Sequence, residues 1–177
     1  MCGAELKPLP EGVQRVAALL QAKGHPHAPV MLDEAARTAQ QAADALGVVL
    51  GQIAKSIVFR RKGGAAGEGE PAQETAVLVI TSGDLRVDEQ KVEALVGKLG
   101  RADADFVKAR TGFAIGGVSP IGHREPALLL IDRELFRFDD IWAAAGHPHG
   151  VFRLRPQDLP HLTGGAPVVD VTVSRTA

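Results

Sequence analysis

The sequence predicts an α/β fold built on a mixed sheet, and three observations support that prediction. Segments with helical periodicity alternate along the chain with short apolar runs that are typical of buried strands. Two neighbouring runs, residues 53–60 and 76–80, are joined without a helix, which favours a mixed sheet over a doubly wound parallel one. The chain has 177 residues, of which 45% are hydrophobic and 23% charged, so a single domain with a substantial core is expected.

Five helices are predicted from apolar spacing and from residues that favour helix ends. Gly24 and Gly47 are expected to end the first two helices, and Gly112 the fourth. Asp88 is expected to cap the third helix, whose buried stripe would run from Val92 through Leu95 and Val96 to Leu99. The predicted helical segments are 11–23, 37–46, the stretch that begins at 88, 103–110, and 156–162, which starts with a proline.

Seven strands are predicted from short apolar or alternating runs. The segments are 28–32, 53–60, 76–80, 127–131, 141–145, 151–154 and 168–173. Between the second and third strands, residues 62–75 are rich in glycine and contain no Gly-Lys-Ser/Thr ending, so they predict a flexible loop rather than a phosphate-binding loop.

Composition and charge exclude several classes of protein. The 20 Lys and Arg against 21 Asp and Glu leave a net charge of −1, which argues against a polybasic nucleic-acid binder, and no DNA binding is expected. Cys2 is the one cysteine, so disulfides and thiolate zinc sites are excluded and a cytoplasmic location is expected. The chain has no apolar run of the ~20 residues that span a bilayer, and no membrane association is expected.

A glycine-rich segment, residues 111–122, is the densest candidate for a site. Its four glycines and Pro120 allow close backbone approach to a ligand and a row of N–H groups that can hold an anion. Three known motifs do not fit: His123 stands where a phosphate-binding loop needs Lys, Ile121 where a nucleophile elbow needs Gly, and Gly-x-Gly-x-x-Gly is absent. A tight structural turn and a ligand-binding loop both remain open on these grounds.

Lys55 is the second candidate, because it lies inside an apolar strand segment. An ammonium in that position is costly unless it is paired or faces a cleft, although a lysine extending to solvent at a strand end is the alternative. Two histidine pairs, His25 with His27 and His147 with His149, each flank a proline without a third ligand nearby, so no metal site is expected.

These features together resemble the YbaK/prolyl-tRNA synthetase-associated editing-domain family of aminoacyl-tRNA deacylases. The resemblance rests on the Ala-rich helix 37–47, on the strand 53–58 with Lys55, and on Ser82-Gly83-Asp84. It continues through Thr111-Gly112, the loop Gly116 to Gly122, and the stretches 130–132, 145–146 and 154–159 in the same order. It extends over about residues 30–173, and the lysine and the Gly-Gly-Val-Ser-Pro loop together are specific.

The resemblance implies a mixed, curved sheet or partial barrel flanked by helices, with residues 1–177 forming one editing domain. It implies hydrolysis of misacylated tRNA as a second sieve, with tRNA(Pro) carrying Ala, Cys or a similar small residue as substrate, and no cofactor. The 3′ end of aminoacylated tRNA is the implied partner, together with prolyl-tRNA synthetase or the elongation machinery. A non-catalytic RNA-binding module of the same fold is the alternative; a small-molecule hydrolase or metal enzyme lacks its usual residues here.

The site residues follow from the resemblance. Lys55 would hold the polar end or terminal phosphate of the substrate, and the N–H groups from Gly116 to Gly122, except at Pro120, would hold the ester oxyanion. Val118 and Ile121 are expected to line the amino-acid pocket, and His147 to border it. The stretch 144–148 departs from the Ser-Ala-Gly pattern of the cysteine-specific branch, which makes Ala or another small residue at least as plausible. The expected catalytic residues are Lys55, Gly116 and Gly117, and the expected substrate-binding residues are Val118, Ser119, Pro120, Ile121, Gly122, Gly146 and His147.

Overall fold

The structure is a computed structural model that describes residues 8–33, 36–62 and 74–173. Cys2 and almost all of the glycine-rich segment 62–75 lie outside the described residues. The helices are α1 (Glu11–Ala22), α2 (Ala39–Leu46), α3 (Glu89–Val96), α4 (Ala104–Thr111) and α5 (Asp158–Leu162), with 3-10 helices at Leu50–Gln52 and Arg133–Arg137. The strands are β1 (Val30–Met31), β2 (Ile53–Arg61), β3 (Thr75–Ser82), β4 (Leu99–Arg101), β5 (Leu128–Asp132), β6 (Ile141–His147), β7 (Gly150–Leu154) and β8 (Val168–Val169).

The eight strands form one mixed, open sheet, which confirms the predicted fold class. The order is β1-β7-β6-β2-β3-β5-β8, with β4 added to β2. β2 and β3 pair antiparallel, as do β6 and β7, whereas β6 runs parallel to β2 and β5 parallel to β3. Helices flank this sheet, and the parallel pairs require the helical crossovers that the sequence order predicts.

Most helix ends lie within two residues of the predicted positions because the end signals act locally. Thr38 accepts a hydrogen bond from the backbone N–H of Gln41, and the Gln41 side chain accepts one from the N–H of Thr38, so α2 begins with a capping box. The Asp103 side chain caps α4 by accepting a hydrogen bond from the backbone N–H of Phe106, without a reciprocal bond. Gly112 ends α4 with a φ of +80°, a conformation that glycine adopts without strain.

The third predicted helix is wrong at its C-terminal end. α3 ends at Val96, Gly97 follows with a φ of +94°, and Leu99 begins β4 instead of completing a buried stripe. Leu95 is 53% exposed. The β2 edge offers backbone partners at Phe59–Arg61, and this pairing outweighs the helical spacing of Leu99. The last strand is also shorter than predicted, with only Val168–Val169 pairing to β5.

The β2 edge opposite β3 is shared by two short pairings, and this arrangement positions the site. β6 pairs with β2 only at Ile53 and Ala54, and β4 pairs with it only at Phe59–Arg61. Within the described residues, the backbone edge between these pairings, Lys55 to Val58, has no neighbouring strand. Alternate β2 side chains join two core clusters, one with Ala54 and one with Phe59. The described helices include none that is both long and apolar enough to cross a bilayer.

Candidate active site

A cavity of about 140 Å³ lies beside the open stretch of the β2 edge. One wall is the first turn of α2 and the residues just before it, and the second is the middle of β6. The third wall is the glycine-rich loop that follows α4. The lining residues are Ala36, Arg37, Thr38, Ala39, Ala42, Ile53, Ala54, Lys55, Ser56, Gly116, Val118, Trp142, Ala143, Ala144, Pro148 and Val151. The cavity therefore joins Lys55 to the glycine-rich loop, two features that are about 60 residues apart in the sequence.

Lys55 is half-buried at this cavity and also borders a groove of about 690 Å³ that contains Arg86 and Asp88. Burial lowers the pKa of the Lys55 ammonium, the negative charge of Asp84 opposes that shift, and Arg86 adds to it. Lys55 is therefore partly withdrawn from water and is not fully extended into solvent. Its charge is available to a polar or anionic group that enters the cleft.

Gly116 and Val118 are the loop residues that line the cavity, and Gly117 lies between them. Gly116 has a φ of +89°, and a Cβ added there would meet no atom within 4 Å. A Cβ on Gly117 would stand 2.6 Å from the backbone carbon of His147 and 2.7 Å from the nitrogen of Pro148. Glycine is therefore needed at position 116 for conformation and at position 117 for close packing.

The backbone N–H of Gly117 is engaged inside the loop, since it donates to the Ala114 carbonyl at 3.0 Å. The N–H of Ile121 likewise donates to the Ser119 hydroxyl at 3.2 Å. The N–H groups of Gly117 and Ile121 therefore already have acceptors inside the loop, so fewer N–H groups between Gly116 and Gly122 are left to hold an oxyanion than the sequence led us to expect. The loop residues that line the cavity are Gly116 and Val118.

The second half of the loop, Ser119 to Gly122, lies behind the cavity wall. Ser119 is fully buried, and its carbonyl accepts a hydrogen bond from Nε2 of His123 at 2.6 Å. Burial lowers the pKa of His123, and the hydrogen bond to the Ser119 carbonyl opposes that shift. Pro120, Ile121 and Gly122 border a separate groove of about 770 Å³ next to α1 and α5. The structure thus places Val118 at the cavity, but it does not bring Ile121 there.

Gly146 and His147 support the cavity from its rim. Gly146 has a φ of +90°, and a Cβ there would stand 2.6 Å from the carbonyl of Gly12 in α1. The backbone of His147 packs against Gly117, and its Nδ1 accepts from the N–H of His149 at 3.1 Å. The next residue, Pro148, lines the cavity.

Several polar or large residues of the cavity wall were not predicted as site residues from the sequence: Arg37, Thr38, Ser56, Trp142 and Pro148. The Ser56 hydroxyl is buried and has no hydrogen-bond partner among the described residues, so it is a polar group that a ligand can satisfy. The role of Thr38 as a helix cap could have been predicted from the Thr-x-x-Gln spacing of a capping box. Because Thr38 lines the cavity, the N-terminus of α2, with its partial positive charge, lies there as well. Trp142 and Pro148 carried no such signal.

The described residues contain no group of three or more His, Cys, Asp or Glu side chains that could hold a metal ion. The polar residues that line the cavity are instead Lys55, Arg37, Thr38 and Ser56, together with the N-terminus of α2. This set suits a neutral or negatively charged oxygen, such as an ester carbonyl or its tetrahedral oxyanion.

The fold and this cavity define the chain as an aminoacyl-tRNA editing domain. Residues 33–162 match the family model described as "Aminoacyl-tRNA editing domain", so the chain belongs to that family, and the resemblance seen in the sequence is confirmed.

Among its relatives is the "Uncharacterized protein YwhH" of Bacillus subtilis (strain 168), which is 32% identical over 135 residues, or 76% of this chain and 80% of that protein. A solved structure described as that of a candidate trans-editing enzyme for prolyl tRNA synthetase has a TM-score of 0.81 and 38% identity, covering 94% of this chain and all of the other. The "Proline--tRNA ligase" of Limosilactobacillus fermentum is 34% identical over 102 residues, which is 56% of this chain but only 17% of the ligase.

Proposed function

We propose that this protein hydrolyses the ester bond of misacylated tRNA, and that tRNA(Pro) carrying alanine or a similarly small residue is its main substrate. Three findings support the proposal: the family, the similarity to a candidate trans-editing enzyme for prolyl-tRNA synthetase, and the similarity to a segment of a proline–tRNA ligase. The proposed domain spans the whole chain, residues 1–177. It would act in the cytoplasm on the 3′ end of the tRNA, alone or beside the synthetase or the elongation machinery.

The cavity beside Lys55 is the observation that carries this proposal. Its volume of about 140 Å³ makes it a small site enclosed by β2, β6, α2 and the glycine-rich loop. The acyl group of an alanyl ester is two carbon atoms smaller than that of the cognate prolyl ester. Each methylene that does not fit a pocket lowers the rate by about 10–200-fold. We therefore propose that contacts with the cavity walls, rather than the volume alone, discriminate against the two extra carbon atoms of proline.

The reaction follows from the groups that line the cavity. A water molecule adds to the ester carbonyl carbon, the carbonyl oxygen becomes an oxyanion, and the carbon–oxygen bond to the ribose then breaks. The proton of the water passes to the departing ribose oxygen, so the products are the free amino acid and uncharged tRNA. The N–H groups of Gly116 and Val118 would hold the oxyanion, and the Lys55 ammonium would hold the polar end of the substrate.

The Ser56 hydroxyl has no histidine partner among the described residues, and the Thr38 hydroxyl caps α2, so a covalent intermediate on either residue is not part of the proposal. The substrate's own hydroxyl or amino group is then left to orient the attacking water. Ser56 would contribute a hydrogen bond to the bound acyl group.

The test is a deacylation panel. Purified protein is incubated with tRNA(Pro) charged with proline, alanine, cysteine, serine or 2-aminobutyrate, with and without a chelator, and loss of ester is followed over time. We expect alanyl ester to be lost much faster than prolyl ester, with no effect of the chelator. Binding of all five tRNAs without ester loss would support the non-catalytic RNA-binding alternative, and inhibition by the chelator would support a metal enzyme.

A further inference from the structure

The carboxylate of Asp84 is held by a network just beyond the end of β3. Arg137, at the end of the second 3-10 helix, donates through Nη2 to Oδ1 of Asp84 at 3.0 Å and to the Ser82 hydroxyl at 2.9 Å. The Ser82 hydroxyl lies between that Oδ1, at 2.9 Å, and the Gly51 carbonyl, to which it can also donate. The side chains of Arg137 and Asp84 are 25% and 29% exposed, so water screens this ion pair less than it screens a surface pair.

Close packing holds the network against the segment that leads into β2. A Cβ on Gly51 would stand 2.7 Å from the Phe138 ring and 3.0 Å from Oδ2 of Asp84. A Cβ on Gly83 would stand 2.6 Å from the Leu50 carbonyl. The first 3-10 helix therefore lies directly on the turn that carries Asp84, and neither segment can shift without the other.

Lys55 lies at the same end of the sheet as this network. In the β2–β3 register Ala54 is opposite Ser82 and Lys55 is opposite Thr81. The turn that carries Asp84 begins directly after Ser82, at the end of β3 that lies beside Lys55. The charge of Asp84 raises the pKa of Lys55 against the larger effect of burial. The other charged groups that border Lys55 are Arg37 at the cavity, and Arg86, Asp88 and Glu89 along the groove.

We propose that the Asp84–Arg137 ion pair is a positioning device for Lys55. Arg137 holds the Asp84 carboxylate in place and partly neutralises its negative charge. The charge that is not neutralised keeps the half-buried ammonium of Lys55 protonated and oriented toward the cleft. The consequence of the ion pair for catalysis rests on the proposed deacylase function. The effect of the ion pair on the protonation of Lys55 is independent of that function.

The test measures the titration of Lys55 directly, by NMR of protein labelled at the lysine Cε carbons, with the Lys55 signal assigned by its loss in Lys55→Ala. Asp84→Asn removes a negative charge with little change in shape, so the midpoint should shift to lower pH. Arg137→Met removes the guanidinium that partly neutralises Asp84, so the Asp84 charge acts more strongly on Lys55 and the midpoint should shift to higher pH. Arg137→Lys keeps the charge and should restore the wild-type midpoint.

The opposite signs separate this proposal from a purely structural role. Loosening of the turn would hydrate Lys55 and move the midpoint upward in both Asp84→Asn and Arg137→Met. Glu125→Gln is the matched control, because Glu125 pairs with Arg110 at the same distance of 3.0 Å but borders neither the cavity nor the Lys55 groove. It should leave the midpoint unchanged.

Deacylation of alanyl-tRNA(Pro) provides the second readout. The pH above which the rate falls should move down in Asp84→Asn and up in Arg137→Met, together with the NMR midpoint. Unchanged midpoints, or upward shifts in both variants, would overturn the proposal. Absence of deacylation in the wild type would refute the proposed function, and the NMR titration would still decide the role of the ion pair.

Discussion

Replacing Gly117 with alanine tests whether the glycine-rich loop must pack directly on the His147–Pro148 backbone. The added Cβ would stand 2.6 Å from the backbone carbon of His147, where ordinary contact begins at 3.4 Å. The obstructing atoms are backbone, so the loop or the rim has to move by about 0.8 Å, the difference between those distances. Overpacking of this kind costs about 1–3 kcal/mol. In a chain of this length that lowers Tm by about 2–12 °C.

The effect on activity should exceed the effect on stability. Gly116, Val118 and Pro148 all line the cavity, and a displacement of about 1 Å at a reacting centre lowers rates by about 100-fold. The assay is deacylation of alanyl-tRNA(Pro) well below the Tm of the variant. Gly100→Ala is the control: like Gly117, Gly100 has no positive φ, but an added Cβ would meet its nearest atom only at 3.7 Å, and the position is outside the cavity. Wild-type activity and Tm in Gly117→Ala would refute the packing argument.

Three further predictions concern stability and specificity. Burial raises the pKa of Asp132, so wild-type stability should fall as pH rises above the ordinary aspartate value of about 4, and Asp132→Asn should abolish that fall in urea unfolding. Thr38→Ala removes the capping box of α2 and should reduce the unfolding free energy by about 1 kcal/mol, which Thr38→Ser should restore in thermal melts. Ala144→Val narrows the cavity and should lower kcat/KM for the 2-aminobutyryl ester relative to the alanyl ester by about tenfold or more, whereas an unchanged ratio would place the acyl group elsewhere.

The parts of the fold that depend on neighbouring residues in the chain were predictable. Apolar runs located the strands, and Gly47, Asp103 and Gly112 marked helix ends because capping acts within one turn. β4 was not predictable, since Leu99 has helical spacing to Val92 and forms a strand only because the β2 edge is available.

The candidate site was predictable only in part. Lys55, Gly116 and Val118 stand out by residue type and by the family resemblance, and all three line one cavity. Whether Ile121 faced the same cavity could not be read from the sequence, because the loop turns between Val118 and Pro120 and puts the later residues on the other side. Trp142 lies at the cavity beside Ile53 because β6 pairs with β2 at these two residues, which are far apart in the sequence.

The role of Lys55 in deacylation can be measured by the release of labelled alanine from alanyl-tRNA(Pro), compared between wild type and Lys55→Ala. Burial lowers the pKa of Lys55, so at neutral pH the folded protein holds a partly desolvated charge, and its removal should leave Tm unchanged or raise it. We expect rapid release by the wild type and release at the uncatalysed rate with the folded variant. Equal release by the two proteins would show that Lys55 is not required for deacylation.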